Sequence, residues 1–315
     1  MEKLKIAVIG TGIIGRSHLR AIAKSENCFL CAVCDVNEET AKAYGEEYRV
    51  PYYTDYKEIA DKTDAEAVIL NLPHHLHCLV TEYFLSKGLH VLVEKPMANT
   101  VEECNRMIAA AEKSGRKLAV GHIQRFFKAN RKVKEIVDSG ELGKLCMYTE
   151  RRTVDYFLPS RPGWFLDKKK AGGGIIMNYG AHTLDKLFYV TGYDNSEITA
   201  VVGNVKNDAT VEGHAQILMQ FPEGFSASVT FCGYCNSGYE TIYYFTKGAL
   251  KVLGSDVLMI NKGEGWEETE IKGNEEAILL LLEEFCKYVN GKTSEIATAE
   301  YSRAVIAAIE KIYQE

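Results

Sequence analysis

The stretch that most constrains the fold is residues 4–15, with the sequence LKIAVIGTGIIG. A short apolar run, residues 6–9, is typical of a buried strand, and a helical pattern starts after the glycines. Gly10 allows a tight turn, Gly12 leaves room for a pyrophosphate against the backbone, and Gly15 lets the helix pack closely on its strand. The N–H groups and the positive end of the helix dipole then face the phosphates. The sequence therefore predicts a dinucleotide-binding turn formed by Gly10, Thr11, Gly12, Ile13, Ile14 and Gly15.

A second predicted strand, residues 28–34, ends in Asp35, about 20 residues beyond the last glycine of the turn. An acidic side chain at this place can accept hydrogen bonds from the adenine-ribose hydroxyls. Its charge would repel a 2'-phosphate, and Val36 and Asn37 offer no cation to hold one. The sequence thus favours NAD over NADP. The alternative is an ordinary strand–turn–helix with a capping aspartate.

Length and charge narrow the class of protein. A chain of 315 residues is long enough for two domains, and its content of 46% hydrophobic and 25% charged residues is ordinary for a globular protein. A net charge of -6 gives no electrostatic footprint for nucleic acid or an anionic membrane. No signal peptide precedes the first strand, and the longest aliphatic run, residues 277–282, is too short to span a bilayer. We therefore expect a cytoplasmic protein with no nucleic-acid or membrane partner.

The nine cysteines predict reduced thiols rather than a disulfide framework. Cys28, Cys31 and Cys34 have the spacing CxxCxxC, which is compatible with a metal site. On a strand, however, residues three apart point to opposite faces. The same argument applies to Cys232 and Cys235 if they lie on a strand, and we expect no structural metal.

The first 122 residues alternate helical and strand patterns, which is typical of a doubly wound parallel sheet. Ligands bind such sheets at the carboxyl ends of the strands. The residues that follow the predicted strands are therefore candidate site residues: Gly10, Asp35, 71–73, 94–96 and 122–125.

Lys95 is the first candidate for chemistry, because it directly follows a predicted strand between Glu94 and Pro96. Near a nicotinamide, burial and the positive cofactor ring would depress the pKa of its ammonium group. The alternative is a surface lysine in a strand–helix loop.

The pattern changes from about residue 126. A helix to about residue 139 leads into strands with two-residue alternation, including 215–221 and 225–231 around a turn at 222–224. Consecutive hairpins of this kind predict an antiparallel sheet with one buried face, whose other face is solvated or part of a subunit interface. Two helices end the chain. We therefore expect an α/β Rossmann domain at 1–122 and an α+β domain with a large, mostly antiparallel open sheet at 123–315.

The segment 171–188, AGGGIIMNYGAHTLDKLF, lies between these strands. From Gly180 onward it is helix-like, so Asn178, His182 and Asp185 fall at spacings of four and three, on one helical face or on the turn entering it. A histidine oriented by a polar neighbour is a plausible general base for a hydroxyl proton. The alternative is a histidine satisfied within the helix packing.

Together these motifs resemble the family of glucose-fructose oxidoreductase, myo-inositol dehydrogenase and their MocA-like relatives. The matching pieces are GTGIIG at 10–15, Asp35, the pair Pro73 and His77, HVLVEKP at 90–96, GHIQRF at 121–126 and GGGIIMNYGAH at 172–182. The resemblance implies a Rossmann domain and a second domain whose open sheet often mediates dimers or tetramers. It also implies that Lys95 polarises or protonates the substrate oxygen, while His182 exchanges the hydroxyl proton as hydride moves to NAD.

The same resemblance extends the predicted site. It adds cofactor contacts from Leu72, Pro73, His77, Glu94, Lys95 and Arg125. Lys95, Gln124, Asn178 and His182 are then expected at the substrate. Family members commonly carry aspartate where this chain has Asn178, and an amide orients a histidine ring without stabilising its cation. The sequence therefore predicts a weaker base, or a base role passed to Lys95.

Tyr156, Arg161 and Trp164 lie in a segment that resembles the substrate-covering loop of the family. Trp164 could stack on a sugar face, and Arg152 or Arg161 could bind hydroxyls or a carboxylate. Each could equally be packing or solvated surface, and the lysines at 168–170 fit a solvated run.

Three functions follow in order. The first is an NAD-dependent dehydrogenase that acts on a secondary alcohol of a sugar, cyclitol or related polyol, as a homodimer or homotetramer through the C-terminal sheet. The second is an enzyme that retains NAD and recycles it in each turnover while it cleaves or isomerises a sugar. The third is a non-catalytic NAD-binding regulatory protein, against which the presence of both Lys95 and His182 argues.

Overall fold

The computed structural model describes residues 3–192, 194–206, 208–271 and 276–314. The chain divides into two compact units. Unit 1 holds the described residues of Met1–Ile123 and Glu276–Arg303, and unit 2 holds those of Gln124–Glu275 and Ala304–Glu315.

Unit 1 is built on a sheet that, among the described residues, has seven strands in the order β15-β6-β5-β4-β1-β2-β3. These strands, numbered along the chain, are β1 Leu4–Ile9, β2 Cys28–Cys34, β3 Tyr52–Tyr53, β4 Ala67–Leu70, β5 His90–Glu94, β6 Leu118–Gly121 and β15 Ala297–Thr298. Strands β1 to β6 pair in parallel, and β15 is antiparallel to β6. All four residues of β4 are buried, as expected for a parallel strand with helices on both faces. This sheet confirms the predicted Rossmann domain.

The helices of unit 1 follow the predicted alternation. They are α1 Ile13–Lys24, α2 Glu38–Tyr48, α3 Lys57–Lys62, α4 His74–Ser86, α5 Val101–Ser114 and α9 Ala277–Val289. Helix α5 has ordinary start and stop signals: the Thr100 hydroxyl caps it by accepting a hydrogen bond from the Glu103 N–H, and Gly115 ends it at φ +67°. Local sequence therefore sets the boundaries of α5.

The described part of unit 2 contains an eight-stranded sheet in the order β14-β13-β12-β11-β7-β10-β9-β8. Its strands are β7 Leu145–Asp155, β8 Glu197–Gly203, β9 His214–Gln220, β10 Ser226–Cys232, β11 Tyr234–Phe245, β12 Gly248–Leu253, β13 Val257–Asn261 and β14 Glu267–Glu270. Every neighbouring pair is antiparallel except β7 and β10, which run in parallel. In β9 the buried Ala215, Ile217 and Met219 alternate with exposed residues. The predicted open sheet is thus confirmed.

One face of this sheet is covered by helices. They are α6 Lys128–Ser139, the short α7 Lys168–Ala171, a π-helical turn Ile176–Gly180 that continues into α8 Ala181–Thr191, and the residues of α10 Ala299–Gln314 beyond Arg303. Two 3-10 turns span Ile123–Phe126 and Gly163–Leu166. Within the ranges the structure describes, no helix combines the length and apolar character needed to cross a bilayer.

The unit boundaries differ from the predicted domains in one respect. The division at Ile123 lies one residue from the predicted one, but α9 and β15 belong to unit 1 rather than to the second domain. Ala297 and Thr298 pair with β6, and Ser25, just after α1, donates a 2.6 Å hydrogen bond to Glu283 of α9. Such a return of the chain to the first sheet depends on contacts between residues far apart in sequence, which local patterns do not encode.

Candidate functional site

The glycine turn between β1 and α1 has the geometry that the sequence predicts. Gly10 adopts φ +85°, and a Cβ built on it would lie closer than 3.0 Å to the carbonyl oxygen of Asn71. A Cβ on Gly15 would meet the Gly10 carbonyl oxygen in the same way, whereas a Cβ on Gly12 would have nothing within 4 Å. Gly10 and Gly15 therefore serve the protein's own packing, and the open space lies at Gly12.

The start of α1 suits a bound phosphate. Gly12 is its N-cap residue and makes no side-chain capping bond, and no acidic residue lies in the first turn. Ile13 is 83% exposed, and Ile14 is also exposed. Positive helix dipole, exposed backbone and open space coincide here, so residues 10–15 fit the pyrophosphate of a dinucleotide.

Asp35 is attached to the same turn. Its Oδ2 accepts hydrogen bonds from the N–H and hydroxyl of Thr11, at 2.7 and 2.9 Å, and its Oδ1 accepts one from the Asn37 N–H at 3.0 Å. These bonds orient the carboxylate at the end of β2, beside the nearly fully exposed Val36. Contact of Asp35 with a ribose remains a prediction.

His77 lies inside unit 1 rather than at its surface. Its fully buried ring lies between two carbonyl oxygens, with Nε2 2.8 Å from Leu72 O and Nδ1 2.8 Å from Pro96 O. Burial lowers the pKa of His77. The ring thus ties the loop after β4, with Leu72 and Pro73, to the loop after β5, and contact of His77 with the cofactor remains a prediction.

Lys95 follows β5 and is half-buried, and it precedes Pro96 through a cis peptide bond. The neighbouring Glu94 is buried, with Oε1 2.9 Å from His18 Nε2 and Oε2 accepting the Lys95 N–H at 3.2 Å. Although burial disfavours the charged carboxylate, the His18 bond and the Lys95 charge hold the pKa of Glu94 below its usual value. Glu94 therefore fixes the backbone of Lys95 through a buried carboxylate.

In unit 2, the side chain of Arg125 pairs with other side chains of the protein. The buried guanidinium donates a hydrogen bond through Nη2 to Asp185 of α8 and lies 5.2 Å from the ring of Tyr189. Contact of Arg125 with the cofactor remains a prediction. Gln124 is buried beside it, and its carbonyl accepts a 2.8 Å bond from the Asn130 amide.

The segment that carries Asn178 and His182 differs from the predicted regular helix. Helical structure begins before Gly180, with the π turn Ile176–Gly180, so Asn178 and His182 are not spaced as on a regular α-helix. Asn178 is buried and His182 is half-buried. Asp185 pairs with Arg125, and it lies three residues after His182 on α8, as the spacing predicts. π turns often mark functional positions.

A cluster of aromatic rings surrounds Arg161 in the segment before the glycine run. Its guanidinium lies 4.1 Å from the ring centroid of Tyr156 and 5.1 Å from that of Phe165, and its Nε donates to the Tyr156 carbonyl. Trp164 stacks on Phe165 at 3.7 Å between centroids. Tyr156 is fully buried, which raises the pKa of its hydroxyl. Tyr156 therefore forms the buried side of the cluster, while the half-buried Arg161 and Trp164 are accessible to a ligand.

A buried ionic network beneath α8 escaped the sequence analysis. Glu150 of β7 lies 2.6 Å from the Lys186 ammonium and accepts a 2.5 Å bond from the Thr183 hydroxyl. Lys186 also donates to Tyr239 and Thr241, at 2.5 and 2.7 Å. The available signal in the sequence was Lys186 itself, a lysine followed directly by the bulky residues 187–190.

Arg152 belongs to this network. Its guanidinium, almost fully buried, lies 4.0 Å from the ring centroid of Tyr239 and 3.4 Å from Glu150. It is therefore a core residue of the sheet rather than an exposed hydroxyl-binding group.

The cysteines show one departure from expectation. Cys28, Cys31 and Cys34 lie on β2, as predicted. The described residues contain no group of three or more histidine, cysteine or acidic side chains placed to hold a metal ion. Cys232 ends β10 and Cys235 lies on β11, and their Sγ atoms are only 4.0 Å apart. The strand argument that separated them was wrong because they lie on different strands.

Comparison with known proteins identifies both halves of the chain. Residues 4–122 match the family described as an oxidoreductase family with an NAD-binding Rossmann fold, and residues 130–256 match the GFO/IDH/MocA C-terminal domain. Inositol 2-dehydrogenase of Salmonella typhimurium is 34% identical over 75% of this chain and 69% of its own. A 1-carboxy-3-chloro-3,4-dihydroxycyclohexa-1,5-diene dehydrogenase of Comamonas testosteroni is 29% identical over 76% of this chain, a match that spans only 60% of that relative.

The fold also matches a solved structure over nearly its whole length. Aldose-aldose oxidoreductase from Caulobacter crescentus, complexed with glycerol, aligns with a TM-score of 0.90 and 27% identity over 99% of this chain and 97% of that one.

Proposed function

Since this chain belongs to the Gfo/Idh/MocA family of NAD-binding oxidoreductases, we propose that it is a dehydrogenase that moves hydride between NAD and a secondary alcohol of a sugar, cyclitol or related polyol. The observation that carries the proposal is the carboxyl edge of the sheet of unit 1. The open glycine turn follows β1, Asp35 follows β2, and Lys95 follows β5 on a backbone held by Glu94. The 34% identical inositol 2-dehydrogenase supports a cyclitol or sugar as substrate.

The residues of the turn hold the cofactor in this proposal. The first N–H groups of α1 bind the pyrophosphate, and Asp35, oriented by Thr11, accepts bonds from the adenine ribose. Because its carboxylate repels a 2'-phosphate, NAD is preferred over NADP. When bound, the nicotinamide supplies the hydride acceptor or donor.

Lys95 and His182 handle the proton. The Lys95 ammonium donates a hydrogen bond to the reacting oxygen and stabilises the negative charge that develops there. His182, with Asn178 orienting its ring, takes the hydroxyl proton. Within unit 2, Arg161 and Trp164 offer a cation and an aromatic face that suit a polyhydroxylated ring, and Gln124 is the third candidate substrate contact.

The test is absorbance at 340 nm after the desalted protein is mixed with NAD or NADP and a panel of sugars, sugar acids and inositols. We expect NADH from one substrate class. Lys95→Met and His182→Asn should each lower kcat by about a hundredfold to ten-thousandfold, and a matched control, Lys42→Met on the exposed face of α2, should leave it unchanged. Equal turnover in Lys95→Met would contradict the assigned chemistry.

A second candidate is an enzyme that retains NAD and recycles it. The structural relative whose name joins two aldoses supports it. Absence of net NADH, together with NAD that remains bound after desalting and conversion of a sugar, would favour this candidate. Nucleotide binding with no turnover of any substrate, unaffected by Lys95→Met, would instead favour a regulatory protein.

We also infer that the exposed face of the sheet of unit 2 binds a second copy of this chain. Leu218 and Val201 are 62% and 68% exposed on this face, and strand register places Met147, two strands away from Leu218, on the same face. Exposed apolar side chains on a broad sheet face favour association. Light scattering on the wild-type protein should give a dimer or tetramer, and Leu218→Lys should shift it toward monomer. A wild-type monomer would overturn the inference.

A further inference from the structure

A buried carboxylate in unit 2 faces the start of the segment that carries Asn178 and His182. Glu212, which precedes β9, is only 8% exposed. Its oxygens both lie 2.8 Å from the Gly174 N–H, and Oε1 also accepts a 2.9 Å bond from the Ile176 N–H. The same oxygen accepts a 2.8 Å bond from the hydroxyl of Tyr313, near the end of α10. One carboxylate oxygen is thus the meeting point of three donors.

Two of these donors, the N–H groups of Gly174 and Ile176, lie at the start of a helix. The first N–H groups of a helix have no partner within it, and they are usually capped by a nearby side chain. Ile175, the residue before the π turn, offers no side-chain cap. Glu212 supplies it from a distant part of the chain, and its negative charge faces the positive end of the helix dipole.

The glycines before the helix are explained by the same contacts. A Cβ on Gly173 would lie closer than 3.0 Å to the Tyr313 hydroxyl, and one on Gly174 closer than 3.0 Å to the Glu212 carbonyl oxygen. The close backbone approach that the sequence suggests is thus an approach to Glu212 and Tyr313. Tyr313 is half-buried, and desolvation together with Glu212 raises the pKa of its hydroxyl well above the usual value, so it stays a donor.

We propose that Glu212 and Tyr313 are positioning residues that act as one cap and set the place of Asn178 and His182. The Asn178 N–H bonds to the Gly174 carbonyl at 3.0 Å, so the glycine that Glu212 holds is bonded directly to Asn178, the residue proposed to orient the base. His182 follows one turn later on the continuous helix. The inference rests on the proposed function for the role of His182, while the cap itself is independent of it.

Glu212→Gln and Tyr313→Phe test the proposal, with Glu223→Gln in the exposed turn after β9 as the matched control. We expect kcat for the polyol to fall by about tenfold to hundredfold in Glu212→Gln, because misplaced catalytic groups cost rate steeply. Tyr313→Phe should act in the same direction but less. The double variant should lose less than the product of the two effects. NADH affinity, measured by fluorescence titration, should not change.

Amide hydrogen exchange distinguishes the cap itself from its effect on catalysis. In both variants, exchange should speed up in peptides covering residues 172–182 and stay unchanged in peptides covering β1 and β4. Faster exchange with unchanged kcat, or unchanged exchange, overturns the positioning role. A wild-type protein that oxidises no polyol defeats the proposed function and with it the link to His182, and the exchange data still decide whether Glu212 is the cap.

Discussion

Two helices of this protein begin after glycines: α1 in unit 1 and, in unit 2, the helix that starts with the π turn. They differ in what binds the free N–H groups of their first turns. At α1 the turn carries no acidic residue and its N-cap, Gly12, makes no side-chain capping bond. At Ile176 the buried Glu212 takes the N–H groups instead. An open helix start suits a ligand anion, whereas a filled one anchors the helix and whatever side chains it carries.

The difference continues along the two helices. The start of α1 is shaped by close backbone contacts around Gly10 and Gly15, so added atoms should harm it most. Helix α8 is tied down by buried charges, with Lys186 bonded to Glu150 and Asp185 to Arg125. Removal of a charge should therefore harm α8 most.

The largest effect should come from Lys186→Met, which removes the nearer of the two cations, Lys186 at 2.6 Å and Arg152 at 3.4 Å, from the buried carboxylate of Glu150. Loss of one partner of a buried ion pair costs about 3–5 kcal/mol of unfolding free energy. Both tryptophans, Trp164 and Trp266, lie in unit 2, so urea unfolding followed by tryptophan fluorescence reports this unit. The control Lys251→Met removes a half-exposed partner of Glu240 and should cost under about 1 kcal/mol. Equal losses in the two variants would contradict the comparison.

The same pair predicts a dependence on pH. Although burial opposes its charge, Lys186 and then Arg152 lower the pKa of Glu150 below its ordinary value of 4.5. A carboxyl whose pKa is lower in the folded state stabilises the fold above its unfolded pKa, and that stabilisation is lost as pH falls through the folded-state pKa. The urea concentration at the unfolding midpoint of the wild-type protein should therefore decrease as the pH falls below about 4.5. In Glu150→Gln this decrease should be smaller.

At α1 the matched pair is Gly15→Ala and Gly12→Ala. The first forces a methyl group onto the Gly10 carbonyl and should lower stability by about 1–3 kcal/mol. The second meets open space, so thermal unfolding should be nearly unchanged, while NAD affinity should fall by about tenfold to hundredfold because the methyl fills the pyrophosphate site. Unchanged NAD affinity in Gly12→Ala would place the pyrophosphate elsewhere.

The contrast between the two helix starts also explains what the sequence could predict. The strand, turn and helix at residues 4–24 are adjacent in sequence, and each glycine there has a local steric reason. The turn, the sheet and the position of Asp35 at the end of β2 were therefore predictable. Glu212 and Tyr313 are joined only by the fold, as are Glu150 and Lys186. Spacing along one helix placed Asp185 near His182, but it did not reveal the pairing of Asp185 with Arg125, which lies 60 residues earlier in the chain. Pairings of this kind need the fold itself.

Asp35→Asn should have a smaller effect, on the choice of cofactor. The amide oxygen can still accept the bonds from Thr11, but the charge that repels a 2'-phosphate is gone. We expect the ratio of NAD to NADP affinity to fall by about tenfold, which corresponds to about 1.4 kcal/mol. Thr11→Val is the control, since it removes one bond to Asp35 and keeps the charge. A ratio that falls equally in Thr11→Val would assign the preference to loop geometry.

Asn178→Asp should have the smallest effect. It tests the helix start at Ile176, which Glu212 caps. A carboxylate beside His182 would stabilise the cationic ring, so kcat should rise by roughly threefold to tenfold and the acid limb of its pH profile should move to higher pH. However, Glu212 already places one buried negative charge at this helix start, and a second carboxylate one turn along must be desolvated beside it. If activity falls steeply while amide exchange at residues 172–182 increases, the asparagine is there because Glu212 already holds the charge. The assignment of Asn178 as a weakening of the base would then be wrong.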